Sequence, residues 1–440
     1  MKPPPGATAL DPPEAVRAIA RDLETAGFET WCVGGAIRDA LLGLPHLDWD
    51  LATAATPDQV RRLFRRTVPV GEKFGTMGVL DAHGHLHEVT TFRHDVRTDG
   101  RHAEVEFGAS LDEDLARRDF TINAIAWSPS ARRLHDPFGG RDDLARGLLR
   151  AVGNAPQRMR EDRLRALRGL RFAGRFGFEI EPATWQAIAE SAGALHRLSK
   201  ERVQQELVKT LEQLRTPSRS LELWRHSGAL QELLPALAAR PAWQLRAADG
   251  LGLPDASSDP GRARRRTLVR LGAVLCGLSR QDVIAQLRDL RFPNREVDRL
   301  AHVTAEAARL TTTPELREYM GVQDLTLRLW AAQTGRVDLA DTLRIAMASL
   351  EASGARSDAA RRGWPALYRR ALRCAWRDPV EISDLAVDGE DLMRDGGIEA
   401  GPGIGAALRA LRDWVLADPA RNTRETLLAR ARDPGAILHS

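Results

Sequence analysis

Lysine is nearly missing from this chain. Of 64 basic residues only Lys2, Lys73, Lys200 and Lys209 are lysines; the rest are arginines. Arginine carries a planar donor fork that fits phosphates and base edges. A GC-rich coding bias produces the same excess, and both readings stand at this point. Cysteine is scarce too, with Cys32, Cys276 and Cys374 far apart. An odd, scattered set excludes a disulfide framework and a CxxC metal site, and is expected of a reducing cytoplasmic compartment. Long apolar runs are absent. Nothing approaches the roughly 18 consecutive apolar residues of a membrane-spanning helix, so no membrane partner is expected. "MKPPPGATAL" at the N-terminus has no apolar segment of a secretion signal. Excess charge is small as well: +4, from 64 basic and 60 acidic residues. Net charge alone therefore implies no nucleic-acid partner.

What remains is long and well supplied with core residues: 440 residues, 43% of them hydrophobic. At about 150 residues per domain this length suggests two to four domains. Strand and helix patterns mix up to about residue 150. "AVRAIARDLETAGF" has helical spacing, "ETWCVGG" and "LDWDLAT" read as strands, and "AIRDALLG" is a short helix stopped at Gly43. "PDQVRRLFRR" starts a helix with Pro57 in its first turn. "GTMGVLDAHGHLHEVTTF" alternates as two strands around a turn at Ala82–Gly84. From about residue 153 strand signals nearly vanish and helical spacing takes over. The second half of 237–265, rich in Pro, Gly and Ser and ending in a basic run, reads as an exposed loop. The expected class is α+β: an N-terminal mixed module followed by an elongated all-α arm.

One stretch carries chemistry: "GGAIRDALLGLPHLDWDLAT", Gly34 to Thr53. Residues i and i+2 of a strand face one way, so Asp48 and Asp50 present two carboxylates together, a set suited to hard divalent cations. Gly34 and Gly35 at a strand-to-helix turn let backbone N–H groups approach a triphosphate, and Arg38 one turn on can add charge. Glu88, in "HEVTTF", is either a third carboxylate of this site or an exposed strand residue. "RRDFTINAIAW" (117–127) and "DPFGGRDDL" (136–144) add charged turns. In "EDRLRALRGLRF" (161–172) a continuous helix places Asp162 and Arg165 as i,i+3 neighbours, with Arg168 and Arg171 following at threes. The same residues read as a surface ion pair beside a leucine face of Leu164, Leu167 and Leu170. "HGHLH" places His83, His85 and His87 in alternation; an exposed hairpin tip is the favoured reading over a zinc site.

The ordered series GGAIRD, LLG, DWDLAT, RRDFTINAIA, DPFGGRDDL and EDRLRALRGLRFA resembles the bacterial tRNA nucleotidyltransferases, the CCA-adding enzymes related to eubacterial poly(A) polymerases within the DNA polymerase beta superfamily. The likeness continues in "LSKERVQQELVKTLE" and "AVDGEDLMRDGGIEAGPGIGAALRALRDWVL" and spans nearly the whole chain, most weakly at 237–265. It implies a catalytic head over 12–152, a nucleotide-selecting neck over 153–215, a body over 216–325 and a tRNA-binding tail over 326–440. It implies template-independent addition of C, C and A to tRNA from CTP and ATP. Asp48 and Asp50 would hold two Mg²⁺ ions, with Glu88 a third carboxylate. Gly34, Gly35 and Arg38 would lie against the triphosphate, and Arg118 would bind the incoming nucleotide. Asp162, Arg165, Arg168 and Arg171 would select it, positioned by Glu161. Gly401, Gly403 and Gly405, ahead of a helix, are either a phosphate site of the tail or a tight helix-entry turn.

The selection chemistry follows from the bases. On their pairing edges C and A show an amino donor beside a ring-nitrogen acceptor, whereas G and U show the reverse. An aspartate accepts and an arginine only donates, so Asp162 with Arg165 matches C and A and leaves G and U with unpaired buried groups. Relatives that add only CC are thought to lack a flexible loop ahead of RRDFT. Here "RHDVRTDGRHAEVEFGAS" (93–110) fills that interval, with Arg101, His102 and Ala103 where relatives often show Arg-Arg-Pro. Full CCA addition is the expectation; A-only addition, CC-only addition and poly(A) synthesis are the alternatives. A phosphohydrolase of the HD type is not expected, because the His-Asp pairs, His94-Asp95 and His135-Asp136, both lie in the head.

Overall fold

A computed structural model describes residues 10–45, 48–98, 103–253, 259–318 and 322–433. The chain forms two compact units. Residues 1–210 and 219–238 make the first, and 211–218 and 239–440 the second.

The first unit opens with α1 (Glu14–Thr25), whose apolar stripe Val16, Ile19, Ala20 and Leu23 is buried. It continues through β1 (Thr30–Val33), α2 (Gly35–Leu41), β2 (Asp50–Thr53), α3 (Pro57–Leu63), β3 (Thr67–Gly71), β4 (Thr76–Leu80) and β5 (Leu86–Thr91). Next come a hairpin, β6 (Arg93–Thr98) with β7 (Ala103–Phe107), then α4 (Leu111–Ala116), β8 (Ala126–Ser128), β9 (Arg133–His135) and α5 (Gly140–Arg146). Seven strands form one mixed sheet in the order β3-β4-β5-β2-β1-β8-β9. β2 and β5 run parallel and every other neighbouring pair is antiparallel. Every residue of β1 is buried, as is Leu51–Thr53 of β2, so the sheet's middle is core and only its ends can carry polar chemistry.

The helical stretch follows as α6 (Ala155–Glu161), α7 (Leu164–Phe176), α8 (Pro182–Ser191) and α9 (Lys200–Gln213). Two sequence expectations change here. "EDRLRALRGLRF" is not one helix. Asp162 is extended (φ −146°, ψ 105°) and separates α6 from α7. Its backbone carbonyl accepts the Arg165 N–H at 3.0 Å and its carboxylate accepts the Leu164 N–H at 3.0 Å, so it starts the second helix rather than sitting inside it. The basic run "GRARRR" is not loop. Asp259 caps a 16-residue helix, Pro260–Leu275, that begins with proline at its first turn.

The second unit is helical, built mainly from Pro260–Leu275, Arg280–Asp289, Asn294–Thr311, Asp324–Thr334, Arg336–Ser353, Asp358–Arg377 and Pro402–Ala417. Arg270 lies in its core at 1% exposure and donates to the carbonyls of Leu214 at 2.9 Å and Arg215 at 3.0 Å. Among the described residues no helix is long and apolar enough to cross a membrane.

Candidate active site

The end of β1 and the start of β2 create the site. Val33 pairs with Asp50, so the chain leaves β1 beside that carboxylate. Gly34 then turns into α2 at φ 82°. A Cβ there would stand 3.3 Å from Arg118 Nη1 and 3.6 Å from Asp50 Oδ2. Glycine is needed both for the left-handed backbone and for the gap between these opposite charges.

Parallel pairing of Leu51 with Val89 puts Asp50 next to Glu88 on one face of the sheet. Glu88 is exposed on β5 and its charge reaches Asp50. Asp48 is exposed and its charge does too, but it precedes the strand, which begins at Asp50. The expected same-strand pairing of Asp48 and Asp50 is thus replaced by a strand residue and a loop residue flanking buried Trp49. Burial, then the charges of Glu88 and Asp48, push the Asp50 carboxyl up to about 6, with Arg118 opposing. Among the described residues no three His, Cys, Asp or Glu side chains are drawn together as a metal cage. The three carboxylates nonetheless suit a hard cation: they are oxygen donors, and a cation removes the repulsion that raises Asp50.

Arg118 faces the Asp50 carboxylate across Gly34. Its guanidinium donates to Asp114 Oδ2 at 3.1 Å and to the Asn123 carbonyl at 3.4 Å, beside Gly34. At 4% exposure Arg38 donates to Asp39 at 2.7 Å and to Asn123 Oδ1 at 2.6 Å. Its guanidinium also lies 5.0 Å from the Phe172 ring centre and 4.9 Å from that of Phe176. It is a buried strut between α2 and α7, not a free charge for a triphosphate.

The arginines of α7 are all committed. Arg165 donates to Glu161 at 2.7 Å and to the carbonyls of Arg158 at 3.1 Å and Arg117 at 2.7 Å. Arg168 pairs with Asp119 at 2.8 Å, Arg171 with Glu206 at 2.7 Å and Arg175 with Asp39 at 3.2 Å. Asp162 pairs with Arg202 at 2.7 Å, not with Arg165 as an unbroken helix requires. Glu161 pairs with Arg165 at 2.7 Å. Asp119 accepts from Asn123 Nδ2 at 2.8 Å as well, so Arg38, Asn123, Asp119 and Arg168 form one chain from α2 to α7. Burial raises the Asp119 carboxyl, but Arg168 and the bonds from Asn123 and Phe120 outweigh it and hold it below the usual range.

Sequence reasoning missed Asp39, Asp119, Asn123, Arg202 and Glu206. Asp119 and Asn123 lie inside the quoted RRDFTIN segment, and Arg202 and Glu206 stand four apart on α9. The signal was present for faces, not for partners. Elsewhere in the head, Asp81 Oδ1 accepts the N–H of His83 at 2.8 Å and of His85 at 2.9 Å, and Oδ2 meets His87 Nε2 at 3.2 Å. HGHLH is built as a hairpin tip. Asp136 accepts the N–H groups of Gly140 at 2.8 Å and Arg141 at 2.9 Å, opening α5. Of the 93–110 interval, residues 99–102, Arg101 and His102 among them, lie outside the described residues, and Arg93–Thr98 with Ala103–Phe107 form the β6–β7 hairpin.

In the second unit Gly401 adopts φ 147° and precedes helix Pro402–Ala417, with no side-chain cap. A Cβ at Gly403 would meet nothing within 4 Å, and one at Gly405 only Arg409 Nη1 at 3.5 Å. The turn accounts for Gly401; neither backbone nor packing accounts for the other two.

A mixed sheet with acidic residues at one strand end, a glycine turn against them and an arginine facing them defines a nucleotidyltransferase head. The profile described as the Poly A polymerase head domain matches residues 30–150, and that of the probable RNA and SrmB-binding site of polymerase A matches 177–240. A CCA-adding enzyme of Geobacillus stearothermophilus is 34% identical over 430 residues, covering 96% of this chain and 97% of the relative. One of Limosilactobacillus fermentum is 32% identical over 431 residues, covering 95% and 96%. The crystal structure of the Bacillus stearothermophilus CCA-adding enzyme in complex with CTP superposes with TM-score 0.76 at 32% identity, covering 96% of this chain and 97% of that one. The Thermotoga maritima CCA-adding enzyme complexed with tRNA, at 23% identity and TM-score 0.66 over 97% and 98%, shares the fold. The chain belongs to the CCA-adding enzyme family.

Proposed function

We propose that this chain completes the 3′ end of tRNA, adding C, C and A from CTP and ATP without a nucleic-acid template and releasing pyrophosphate in the cytoplasm. The observation that carries this reading is likeness to a CCA-adding enzyme over 97% of that enzyme's length, and the charges of Glu88 and Arg118 acting at Asp50 support it. Head, neck, body and tail divide as 12–152, 153–215, 216–325 and 326–440.

Asp50 with Asp48, and Glu88 as a third carboxylate, are the residues that would hold Mg²⁺. Bound there, divalent ions lower the pKa of the primer's 3′-hydroxyl and neutralise the leaving pyrophosphate. The chain's own groups do the positioning. Gly34 and Gly35 admit the triphosphate to backbone N–H groups, and Arg118 offers it charge. The 3′-hydroxyl attacks the α-phosphorus in line as the bond to the β-phosphate oxygen breaks. One displacement inverts the α-phosphorus. A chiral α-phosphorothioate nucleotide therefore gives inverted product, and net retention overturns the mechanism.

Asp162 and Arg165 read the base. The Asp162 carboxylate has lone pairs beyond those taken by Leu164 N–H and Arg202, and can accept an amino group of C or A. Arg165 keeps its Nε–H and one Nη2 hydrogen for the ring nitrogen beside it. Arg168 and Arg171 act on the base through this pair's placement. Gly403 and Gly405 leave a bare helix start for a tRNA phosphate, and glutamate at both raises KM for tRNA but not for CTP.

Three transcripts test the reading, ending before CCA, after C and after CC, each given Mg²⁺ with CTP, ATP or both. Growth of the shortest by all three nucleotides, then arrest, is expected. Growth of only the CC-ended transcript, by one A, makes this an A-adding enzyme. Long A tails make it a poly(A) polymerase.

A further inference from the structure

The second unit holds a cleft of about 1020 Å³ that the catalytic reading does not use. One wall is the start of helix Pro260–Leu275, the other the facing sides of Arg336–Ser353 and Asp358–Arg377. Six arginines line it against two carboxylates, Asp341 and Glu351, a surplus of four positive charges. The whole chain carries a surplus of +4. The cleft thus concentrates locally what the rest of the surface cancels.

The arginines differ in their commitments. Arg265 is held by Asp341 at 2.6 Å and Arg356 by Glu351 at 2.8 Å, while Arg336 is paired with Asp384. Arg262 and Arg266 are exposed and have no hydrogen-bond or ion-pair partner among the described residues. Both features of their placement are unfavourable without an anion. They stand four apart on one helix face, where like charges repel. Arg262 also sits in the first turn, where the helix dipole opposes positive charge, and the one acidic group at that end, Asp259, is taken up in capping Gly261 N–H.

The opposite wall is aromatic. Trp364, Tyr368, Leu372 and Trp376 follow at intervals of four along Asp358–Arg377 and form one stripe into the cleft. Trp364 and Tyr368 ring centres are 5.3 Å apart, and Arg344 lies 5.4 Å from the Tyr368 centre. Trp376 is 59% exposed, with Arg336 5.6 Å from its ring centre. An exposed tryptophan at a cleft rim offers a flat face for another ring.

We propose that this cleft is a second nucleotide site, remote in sequence from the catalytic residues, in which a nucleobase stacks on the Trp376 end of the aromatic stripe and its phosphate lies between Arg262 and Arg266. Rings with attached phosphate match both walls at once. Aliphatic anions use one wall only, and neutral rings the other. The volume lies at the upper end of ordinary ligand pockets, roughly 300–1,000 Å³, and holds more than one nucleotide. The same chemistry comes as a free nucleotide or as an unstacked nucleotide of a bound RNA.

The test uses the full chain in EDTA with two probes, a fluorescent AMP derivative and a fluorescein-labelled hexa-adenylate RNA, read by anisotropy. Arg262→Glu with Arg266→Glu is expected to weaken the bound probe by at least about tenfold, and Trp376→Ala by about tenfold through lost stacking. Arg280→Glu with Arg288→Glu makes the same charge change outside the cleft and is expected to leave affinity within about twofold. Melting temperatures check that all three variants fold. Loss for AMP and RNA alike identifies a free-nucleotide site, and loss for RNA alone identifies an RNA site. The proposal is overturned if neither probe loses affinity in the cleft variants, or if the outside control loses as much. This outcome is independent of CCA addition, which the three transcripts report separately.

Discussion

Two arginine-rich helices in this protein look alike in sequence and behave oppositely. On α7, Arg165, Arg168, Arg171 and Arg175 each meet a carboxylate from a different place, namely Glu161, Asp119, Glu206 and Asp39. On Pro260–Leu275, Arg264 and Arg265 are paired with Glu296 and Asp341, but Arg262 and Arg266 are not. The first set is internal structure that also frames a site. The second leaves charge over for something else. Spacing cannot separate the two cases, because carboxylates distant in sequence decide whether an arginine is a strut or a hand.

The sharpest break of that comparison is at Asp50, in its proposed role. With Asp50 holding metal as proposed, Asp50→Asn is expected to lower pyrophosphate release on tRNA by a factor of about 10³ or more. Its effect on folding has the other sign. The Asp50 carboxyl is raised to about 6 in the fold. It therefore costs nothing below the unfolded value near 4. The cost grows as pH rises through about 6, to at most about 3 kcal/mol. In EDTA the Asn variant is more stable than the parent at pH 8 and equal to it below pH 4. Chemical denaturation at both pH values checks this, and equal stability at pH 8 removes the strain assigned to Asp50.

Next in size are the buried pairs. Arg171 and Glu206 side chains are 5% and 2% exposed. Glu206→Gln leaves a buried guanidinium without its counter-charge and costs about 3–5 kcal/mol. Arg266→Ala, on the other helix, stays within about 0.5 kcal/mol. Urea melts of both variants measure the contrast directly, and similar losses would dissolve it.

A smaller effect follows from pH. The Asp119 carboxyl is held below the usual range, so the stability it lends is present above the unfolded value near 4 and is lost as pH falls through its lower folded value. Asp119→Asn should therefore narrow the stability difference between pH 7 and pH 3. The smallest effect is in the tail. Gly403 sits in a helix with open space around it, so Gly403→Ala stabilises by about 0.5–1 kcal/mol. A thermal melt shows it, and destabilisation would mean that glycine is kept there for packing.

Much of the site was legible before any fold was known. The turn at Gly34, the short helix ending before Gly43 and the hairpin around Ala82–Gly84 all follow from local pattern, whereas the approach of Glu88 to Asp50 comes from the parallel pairing of β2 with β5. The first three rest on periods of two or 3.6 residues and on glycine stereochemistry, which act within a few residues. Arg38 shows the limit. Its spacing after Gly-Gly suits a phosphate, yet two phenylalanines and an asparagine from later segments bury it. Asp162 shows another: an aspartate with helical neighbours on both sides nonetheless ends one helix and begins the next, because its side chain bonds the backbone of Leu164 and reaches Arg202 on α9.

Sequence alone thus determined the mixed head and the helical arm that follows it, the acidic residues around the second strand, the glycine turn and, through the ordered motifs, the family. These are properties of short stretches, where sterics and hydrophobic spacing are local. The tertiary structure decided which charges are spent on one another and which remain for a ligand. That is a matter of distance in space between residues up to 136 positions apart, as in Arg175 and Asp39, and no local rule contains it.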